Sequence, residues 1–343
     1  MDLADYTYDL PAASIAQYPA STRDAARLLV IDRSRGTLAD HTFASLPELL
    51  HPGDCLVVND SRVLPARVLA VEAQSGRPVE VLFVQARDER RWTALVRPAR
   101  KCRPGSELRV GARGRLRVVA EETDGTRLLE RADGSIDELM ATHGQPPLPP
   151  YIARHARPDS DDQDRYQTVY ARRPGSIAAP TAGLHFTEPL LTRVRRAGIE
   201  VHALTLHVGP GTFRPIRSAR LEDHRLAGER VTISPDVAAA VNRARDSSRR
   251  VVAVGTTTTR ALEGSVDESG RVMPGEGVVD LFITPGHRFR VVEALVTNFH
   301  LPRSSLLVLV SAFAGRELIL KAYRHAIDAG YRFYSYGDAC LIA

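Results

Sequence analysis

Short apolar runs alternate with turn residues in the first half of the chain. Six runs of four to six residues alternate largely between apolar and polar positions; they cover residues 67–72, 79–84, 92–96, 107–110, 115–120 and 126–130. Turn pairs such as Pro104-Gly105 and Asp124-Gly125 separate them. Evenly spaced short strands with turn residues between them are typical of a small all-β unit, and we predict a barrel.

The pattern changes to strand, turn and helix after the proline-rich stretch Pro146–Pro150. Thr187 is placed to cap a helix that Gly198 ends, and a strand is predicted over 199–208. Further strands are predicted over 251–254, 281–283 and 331–336, and further helices over 257–263, from Ser304 or Ser305 to Gly315, and from there to Gly330. This alternation predicts an α/β domain.

The all-β unit is predicted to be an insertion. Residues 1–66 already contain an apolar strand, Cys55–Val58, so strands of the α/β domain precede the β-rich region as well as follow it. We therefore predict a large α/β domain made of residues 1–66 plus 149–343, and an inserted small all-β domain made of residues 67–148.

Four turns rich in Gly and His stand out in the second half of the chain. They are Pro180–Phe186, His207–Phe213, Gly255–Arg260 and Thr297–Pro302, and each follows or closes an apolar, β-branched run. Such turns let the backbone approach a ligand closely. Because they lie at the ends of predicted strands, we expect them to build one composite site.

Composition sets wide limits on function. The 343 residues carry 46 basic and 41 acidic side chains, a net charge of +5, which permits a polyanionic partner without establishing one. The longest nearly uncharged apolar stretch, 304–315, is too short to span a bilayer, and the N-terminus does not resemble a signal peptide. The three cysteines lack disulfide or metal spacing. We expect a cytoplasmic protein with no metal site.

The ensemble of motifs resembles one family from end to end. Besides the four turns, the matching segments are 8–11, 15–19, 26–29, 57–67, 166–170 and 331–338. Their order and spacing are similar to those of the S-adenosylmethionine:tRNA ribosyltransferase-isomerases of queuosine biosynthesis. The resemblance implies a large α/β domain of barrel character that carries a small all-β domain.

The resemblance also implies the reaction. The ribosyl group of S-adenosylmethionine, a cosubstrate, is transferred to the 7-aminomethyl-7-deazaguanine at the tRNA wobble position and isomerised to epoxyqueuosine, with release of adenine and methionine. This chemistry needs a base, an acid and groups that oppose developing charge, and no prosthetic group. We expect tRNA as partner, no DNA and no membrane, and a monomer.

Four residues are candidates for proton transfer. His207 is the first candidate base, because period-two alternation places it on the face of Thr205 at the end of the predicted strand 199–208. His185 and His300 lie in two other turns, and Asp280 precedes the predicted strand 281–283. For each of the four, an ordinary hydrogen bond within a turn is the alternative role.

Cosubstrate binding is assigned to the turns. The strand-to-helix turn after Gly255 offers free amides and hydroxyls for a carboxylate or ribose oxygens, although helix capping alone would also explain its threonines. The candidate cosubstrate-binding residues are Gly183, Gly209, Gly211, Gly255, Thr256, Thr257, Arg260 and Asn298.

Cations at the entry of the β unit and within one of its turns are candidates for following tRNA phosphates. They are Arg62, Arg67, Arg97, Arg100, Lys101 and Arg103. A solvated basic face is the alternative explanation of such a cluster.

One segment departs from the family pattern. After Glu222-Asp-His224 the family carries a Met-His pair before a Glu, whereas this chain has Arg225-Leu-Ala-Gly-Glu229. The second His is thus replaced by Ala227 or Gly228. This departure and the modest net charge leave one alternative open, a related transferase that acts on a deazapurine outside tRNA. A second alternative, a non-catalytic RNA-binding protein, is disfavoured by the retained His and Gly turns.

Overall fold

The fold is described from a computed structural model that covers residues 1–154, 158–209, 211, 216 and 218–343. The chain folds into two compact units. The first unit contains Met1–Arg62, Gln167–Pro174 and Ala179–Ala343, and the second contains Val63–Tyr166 and Gly175–Ala178. Residues 210, 212 and 213 of the predicted turn His207–Phe213 lie outside the described residues.

The strands, in chain order, are β1 (Arg27–Asp32), β2 (Thr37–Thr42), β3 (Cys55–Asn59), β4 (Ser61–Val63), β5 (Arg67–Glu72), β6 (Pro78–Ala86), β7 (Arg91–Arg97), β8 (Glu107–Val110), β9 (Gly114–Glu121), β10 (Arg127–Arg131), β11 (Arg173–Ser176), β12 (Glu200–Leu206), β13 (Glu229–Ile233), β14 (Val251–Val254), β15 (Gly275–Val279), β16 (Ala294–Asn298) and β17 (Ala339–Ile342).

The α-helices are α1 (Leu46–Leu49), α2 (Ile136–His143), α3 (Asp162–Arg165), α4 (Glu188–Arg196), α5 (Pro235–Asp246), α6 (Thr256–Gly264), α7 (Ser305–Ala314) and α8 (Arg316–Asp328). Short 3-10 turns occur between them, and one of these, Thr181–His185, belongs to the candidate site.

The second unit contains a closed antiparallel barrel of six strands in the order β10-β7-β6-β5-β8-β9. The six alternating runs of the sequence correspond to these six strands. Along β5, for example, Val68 and Ala70 are buried while Leu69 and Val71 are exposed, which is the alternation that a barrel wall requires. Helix α2, with a capping box formed by Ser135 and Glu138, adds buried side chains to the barrel core.

The second unit extends beyond the predicted insertion. Residues 63–66 and 149–166 belong to it, in addition to 67–148. Leu148 and Ile152 are buried, so the proline-rich stretch and the chain directly after it pack as part of a folded unit. The predicted domain limits at 67 and 148 stay a prediction.

The first unit is built on a nine-stranded mixed sheet in the order β15-β13-β12-β3-β14-β16-β17-β1-β2. Strand β3 lies near the centre, parallel to both β12 and β14. All five residues of β3 are buried, as the nearly continuous apolar runs of parallel sheets require. The predicted α/β fold with a small all-β barrel is confirmed.

Several local predictions in the first unit are confirmed. The Thr187 hydroxyl accepts from Leu190 N at 3.2 Å and caps α4, and Ser304 caps α7 in the same way. Gly315 adopts φ +91° between α7 and α8, a conformation that favours glycine and interrupts the helix.

Two predicted strands are wrong. Residues 331–336 make only one β-bridge, between Phe333 and Ile15, because Tyr334 turns the chain with φ +76° and the strand follows later as β17. Residues 281–283 are not a strand either. The strand that pairs with β13 is instead β15. Its glycines at 275 and 277 interrupt the apolar pattern, so the sequence did not predict it.

Candidate active site

Three of the four predicted turns converge on one cleft in the first unit. The cleft has a volume of about 480 Å³, including space open to solvent. It is lined by Ala179, Pro180, Thr181, Ala182, Val208, Gly255, Thr256, Thr257, Thr297, Asn298, His300, Leu306, Tyr334 and Ser335. The fourth turn contributes Val208 among the described residues. Strands β14 and β16 are parallel neighbours, so the turns after their carboxyl ends meet at one edge of the sheet.

The turn after β14 presents the start of α6 to the cleft. Gly255 adopts φ +92° and links strand to helix, so the first amides of α6 lack partners within the helix. The hydroxyls of Thr258 and Thr259 are bonded back to the carbonyls of Val254 and Gly255, at 2.7 and 3.2 Å. Thr256 and Thr257 line the cleft.

His185 lies behind the cleft in a buried position. Its Nε2 is 3.1 Å from Asn298 Nδ2, and its ring lies 5.0 Å from that of Phe43. Burial lowers the pKa of His185 to about 4, against a smaller opposing effect of Asp338. The imidazole is therefore neutral at physiological pH and can act as a hydrogen-bond acceptor.

His300 lines the cleft and is equally buried. Its Nε2 lies 3.0 Å from the hydroxyl of Thr297, and its backbone N–H donates to the hydroxyl of Tyr323 at 3.1 Å. Burial lowers the pKa of His300 to about 3. Like His185, it is neutral at pH 7 and a weak proton acceptor.

The described lining of the cleft has no charged side chain; its polar groups are hydroxyls, one amide, one neutral imidazole and backbone N–H groups. An uncharged lining of this kind binds hydroxyl, amine and carboxylate groups through hydrogen bonds and the dipole of α6. It is suited to a polar organic ligand with a ribose or carboxylate.

His207 is placed beside the cleft but does not line it. It follows β12 directly, its N–H donates to the carbonyl of Arg230 at 2.9 Å, and its Nδ1 has no hydrogen-bond partner among the described residues. Burial and then the charge of Arg230 lower its pKa, while Asp60 opposes them. His207 is half-buried as a residue, and its Nδ1 atom is buried.

Asp280 and Arg260 lie away from the cleft lining. Asp280 is exposed after β15, in a separate depression with His224 and Phe282. The Arg260 guanidinium is buried: Nη1 pairs with Glu229 Oε2 at 2.6 Å, and Nε donates to the carbonyl of Leu281 at 2.9 Å. Arg260 thus joins α6 to β13 and is not positioned to contact a ligand in the cleft.

The predicted glycines have different surroundings. Gly183 packs directly under the hydroxyl of Tyr170, so a Cβ atom there would clash. The N–H of Gly209 donates to Glu229 Oε1 at 3.0 Å, and among the residues that the structure describes a Cβ at Gly211 would approach only Ala227, at 3.8 Å. Of the four predicted glycines, only Gly255 lines the cleft.

The predicted phosphate-binding cations differ in exposure. Arg62, Arg97, Arg100, Lys101 and Arg103 are exposed, whereas Arg67 is 2% exposed. Arg67 donates to Gln145 Oε1 at 2.8 Å and pairs with Glu80 Oε2 at 3.0 Å. Period-two alternation from Val68 did not show this, because Arg67 lies at the start of β5, where two successive residues are buried.

Sequence reasoning missed Thr181, Tyr334 and Ser335, all of which line the cleft. Tyr334 is buried and adopts φ +76°, a conformation that residues other than glycine hold mainly where the surrounding structure imposes it. The resemblance of segment 331–338 to the family was the signal that could have indicated Tyr334 and Ser335 as site residues. The predicted strand over 331–336 did not place them in a wall of the cleft.

The segment that departs from the family pattern is exposed. Ala227 and Gly228 are exposed, and His224 packs edge-on against Phe282 with ring centroids 5.1 Å apart. Within the described ranges, no group of three or more His, Cys, Asp or Glu residues could hold a metal ion. No described helix is both long and apolar enough to cross a membrane.

Comparison with known proteins shows the family. The sequence model described as "Queuosine biosynthesis protein" matches residues 3–342. The S-adenosylmethionine:tRNA ribosyltransferase-isomerase of Symbiobacterium thermophilum is 49% identical over 344 residues, with 100% of both chains covered. That of Anaeromyxobacter dehalogenans is 50% identical, covering 100% of this chain and 99% of the relative.

A solved structure agrees. The S-adenosylmethionine tRNA ribosyltransferase of Thermotoga maritima is 34% identical, with a TM-score of 0.55 over 99% of this chain and 100% of that one. The fold and the cleft define a mixed α/β protein with a polar ligand site at one sheet edge. This chain belongs to the queuosine biosynthesis protein family, as the motifs predicted.

Proposed function

We propose that the protein is an S-adenosylmethionine:tRNA ribosyltransferase-isomerase, which makes epoxyqueuosine at the tRNA wobble position and releases adenine and methionine. Full-length relatives at about 50% identity bear this name. The structural observation that carries the proposal is the convergence of the turns at 181–185, 255–257 and 297–300 on one uncharged, polar cleft. S-adenosylmethionine is the cosubstrate, and the chemistry requires no prosthetic group.

The cleft is the proposed cosubstrate site. The amides at the start of α6 and the hydroxyls of Thr256 and Thr257 are suited to a carboxylate or ribose oxygens, and Asn298 supplies an amide. Gly255 permits the turn. Gly183, Gly209, Gly211 and Arg260 act around this site by shaping the backbone and holding α6 in place.

His207 is the proposed base. A base must exchange protons near neutral pH, and burial makes His185 and His300 too weakly basic for this at their pKa values of about 4 and 3. His207 is half-buried, has an unpartnered Nδ1 among the described residues, and directly precedes Val208 of the cleft lining. His185 and His300 are proposed to act as hydrogen-bonding groups, and Asp280 keeps no proposed role in the cleft.

The tRNA partner is proposed to meet exposed cations. Arg62, Arg97, Arg100, Lys101 and Arg103 are available to phosphates, whereas Arg67 is buried with Glu80. We further expect a cytoplasmic monomer that requires no DNA. Gel filtration with light scattering would measure the oligomeric state.

One observation favours a second acceptor. The absent Met-His pair, with exposed Ala227 and Gly228 in its place, is compatible with a deazapurine acceptor outside tRNA. The third reading, a non-catalytic RNA-binding protein, is disfavoured because the curated relatives carry an enzyme name along the whole chain.

The test is incubation with S-adenosylmethionine and tRNA that carries wobble 7-aminomethyl-7-deazaguanine, followed by nucleoside mass spectrometry. We expect epoxyqueuosine in the digested tRNA. Parallel reactions contain the free deazapurine or its nucleoside. Product from these but not from tRNA would support the second acceptor, and no product with any acceptor would contradict the proposed enzyme.

A further inference from the structure

Asn298 differs from the other buried asparagines of the described chain. In Asn59, Nδ2 donates to Leu206 O at 2.9 Å, and Oδ1 accepts from Leu206 N at 3.0 Å. In Asn242, both amide atoms bond to the backbone of Val272, at 3.0 and 2.9 Å. Asn298 is 3% exposed, yet its Oδ1 has no hydrogen-bond partner among the described residues. A buried acceptor without a partner is costly, so it calls for a donor.

The orientation of the Asn298 amide is determined by its other atom. Nδ2 lies 3.1 Å from His185 Nε2 and 3.4 Å from the carbonyl oxygen of Asp338. A carbonyl only accepts, so the atom that faces it must be the donating nitrogen. Both N–H groups of the amide are therefore used. Asn298 lines the cleft, and its oxygen is the amide atom that the described residues leave without a hydrogen bond.

His185 is compatible with this orientation. Because Asn298 Nδ2 is the donor, His185 Nε2 accepts its hydrogen bond with a lone pair. In the neutral imidazole the ring N–H is then on Nδ1.

The lining of the cleft restricts the donor. An ammonium group would enter a site whose described lining has no carboxylate to pair with it. A neutral O–H or N–H donor has no such cost. In S-adenosylmethionine these donors are the ribose hydroxyls and the 6-amino group of adenine.

We propose that Asn298 Oδ1 accepts a hydrogen bond from a neutral donor of the cosubstrate, a ribose hydroxyl or the adenine amine, and that His185 is a positioning residue that holds the Asn298 amide in the accepting orientation. This inference rests on the proposed function, because it takes S-adenosylmethionine as the ligand of the cleft.

The test is titration calorimetry without tRNA. The ligands are S-adenosylmethionine and three analogues that lack one donor each: the 2′-deoxy, the 3′-deoxy and the 6-deamino compound. The wild-type protein should bind one of them about tenfold more weakly than S-adenosylmethionine, the scale of one hydrogen bond into a buried site. The identity of that analogue tells the ribose from the adenine donor.

The variants decide whether Asn298 makes this contact. Asn298→Ala should bind S-adenosylmethionine about tenfold more weakly than the wild type does, and it should bind the weakly bound analogue no worse than the wild type does. The ratio of the two affinities is the discrimination. His185→Leu should lose most of this discrimination, and His185→Gln should restore part of it by offering an acceptor. Asn242→Ala is the matched control; it removes a buried, fully bonded amide and should keep the discrimination.

Three results would overturn the inference. They are equal wild-type affinity for all four ligands, undiminished discrimination in Asn298→Ala, and equal weakening of all ligands in His185→Leu without rescue by His185→Gln. The first needs no variant, so it decides even if a variant does not fold. If the wild-type protein binds S-adenosylmethionine and turns it over, any of these three results refutes the Asn298 contact alone. If the wild-type protein does not bind S-adenosylmethionine at all, the proposed function is refuted.

Discussion

Burial separates the roles of the three candidate histidines. Their basicity depends on contacts that distant segments of the chain make with them. Phe43 packs on His185, and Tyr323 bonds to the backbone of His300. Only His207 remains half-buried beside the cleft.

His207→Gln should lower kcat by roughly a hundredfold or more and leave the affinity for S-adenosylmethionine nearly unchanged, because it removes a general base without removing a cleft wall. Single-turnover kinetics and calorimetry measure the two quantities. The control is His202→Gln on β12, which removes a half-buried imidazole paired with Glu200 at 3.2 Å. A loss in kcat below about tenfold would make His207 a structural residue.

The pH dependence of kcat/KM should report His207. Burial and the Arg230 cation lower its pKa, so the neutral, active imidazole persists to lower pH, and activity should fall as pH drops through that lowered pKa. Arg230→Gln removes a neighbouring positive charge, which raises the pKa and should move the acid limb to higher pH. High salt should reduce the difference between the two proteins. An acid limb that stays in place in Arg230→Gln at low salt would contradict the assignment.

At the scale of elements, apolar periodicity predicted the six barrel strands, β3, β12, β14 and helices α4 and α6 to α8. It failed for β15, where Gly275 and Gly277 interrupt the apolar pattern, and for β17, which begins at Ala339 after the predicted strand 331–336. Which strands become neighbours was not readable, because β3, β14 and β16 come from distant segments. The buried pair of Arg260 and Glu229, which joins α6 to β13, is a consequence of that pairing.

Arg260→Met should destabilise the protein by about 3 to 5 kcal/mol, because it leaves the Glu229 carboxylate buried without its cation. The free energy of unfolding from urea titration measures this loss. Arg271→Met is the matched control: its pair with Asp246 at 3.1 Å is exposed and should contribute at most about 1 kcal/mol. Similar losses in both variants would refute a structural role specific to Arg260.

For the whole molecule, net charge did not indicate where tRNA would bind. The exposure of the side chains now separates the cations that are accessible to phosphates from those that are buried. Arg67 was predicted to face tRNA and is instead buried, whereas the cluster around residues 97–103 is exposed. Long side chains at strand ends cannot be assigned to one face from alternation alone. The fold class and the family were predictable from motif order along the whole chain, and the domain limits remain predictions.

Replacing both Arg100 and Lys101 by Gln should weaken tRNA binding and reduce the slope of log affinity against log salt by up to about two counterion units. Filter binding across a salt series measures the slope. The control is the double replacement of the exposed Arg195 and Arg196 in α4, which makes the same change in net charge elsewhere. An unchanged slope in the first variant would place the tRNA away from this turn.

The most direct test of the central claim is the stoichiometry of product release. Wild-type protein is mixed with S-adenosylmethionine, with or without tRNA that carries wobble 7-aminomethyl-7-deazaguanine, and adenine and methionine are quantified by chromatography. Because the ribosyl group must leave both to form the new ring, we expect adenine and methionine in equal amounts, equal also to the epoxyqueuosine formed, and only with the modified tRNA. Equal release of both products without tRNA, or release of one product alone, would contradict the account.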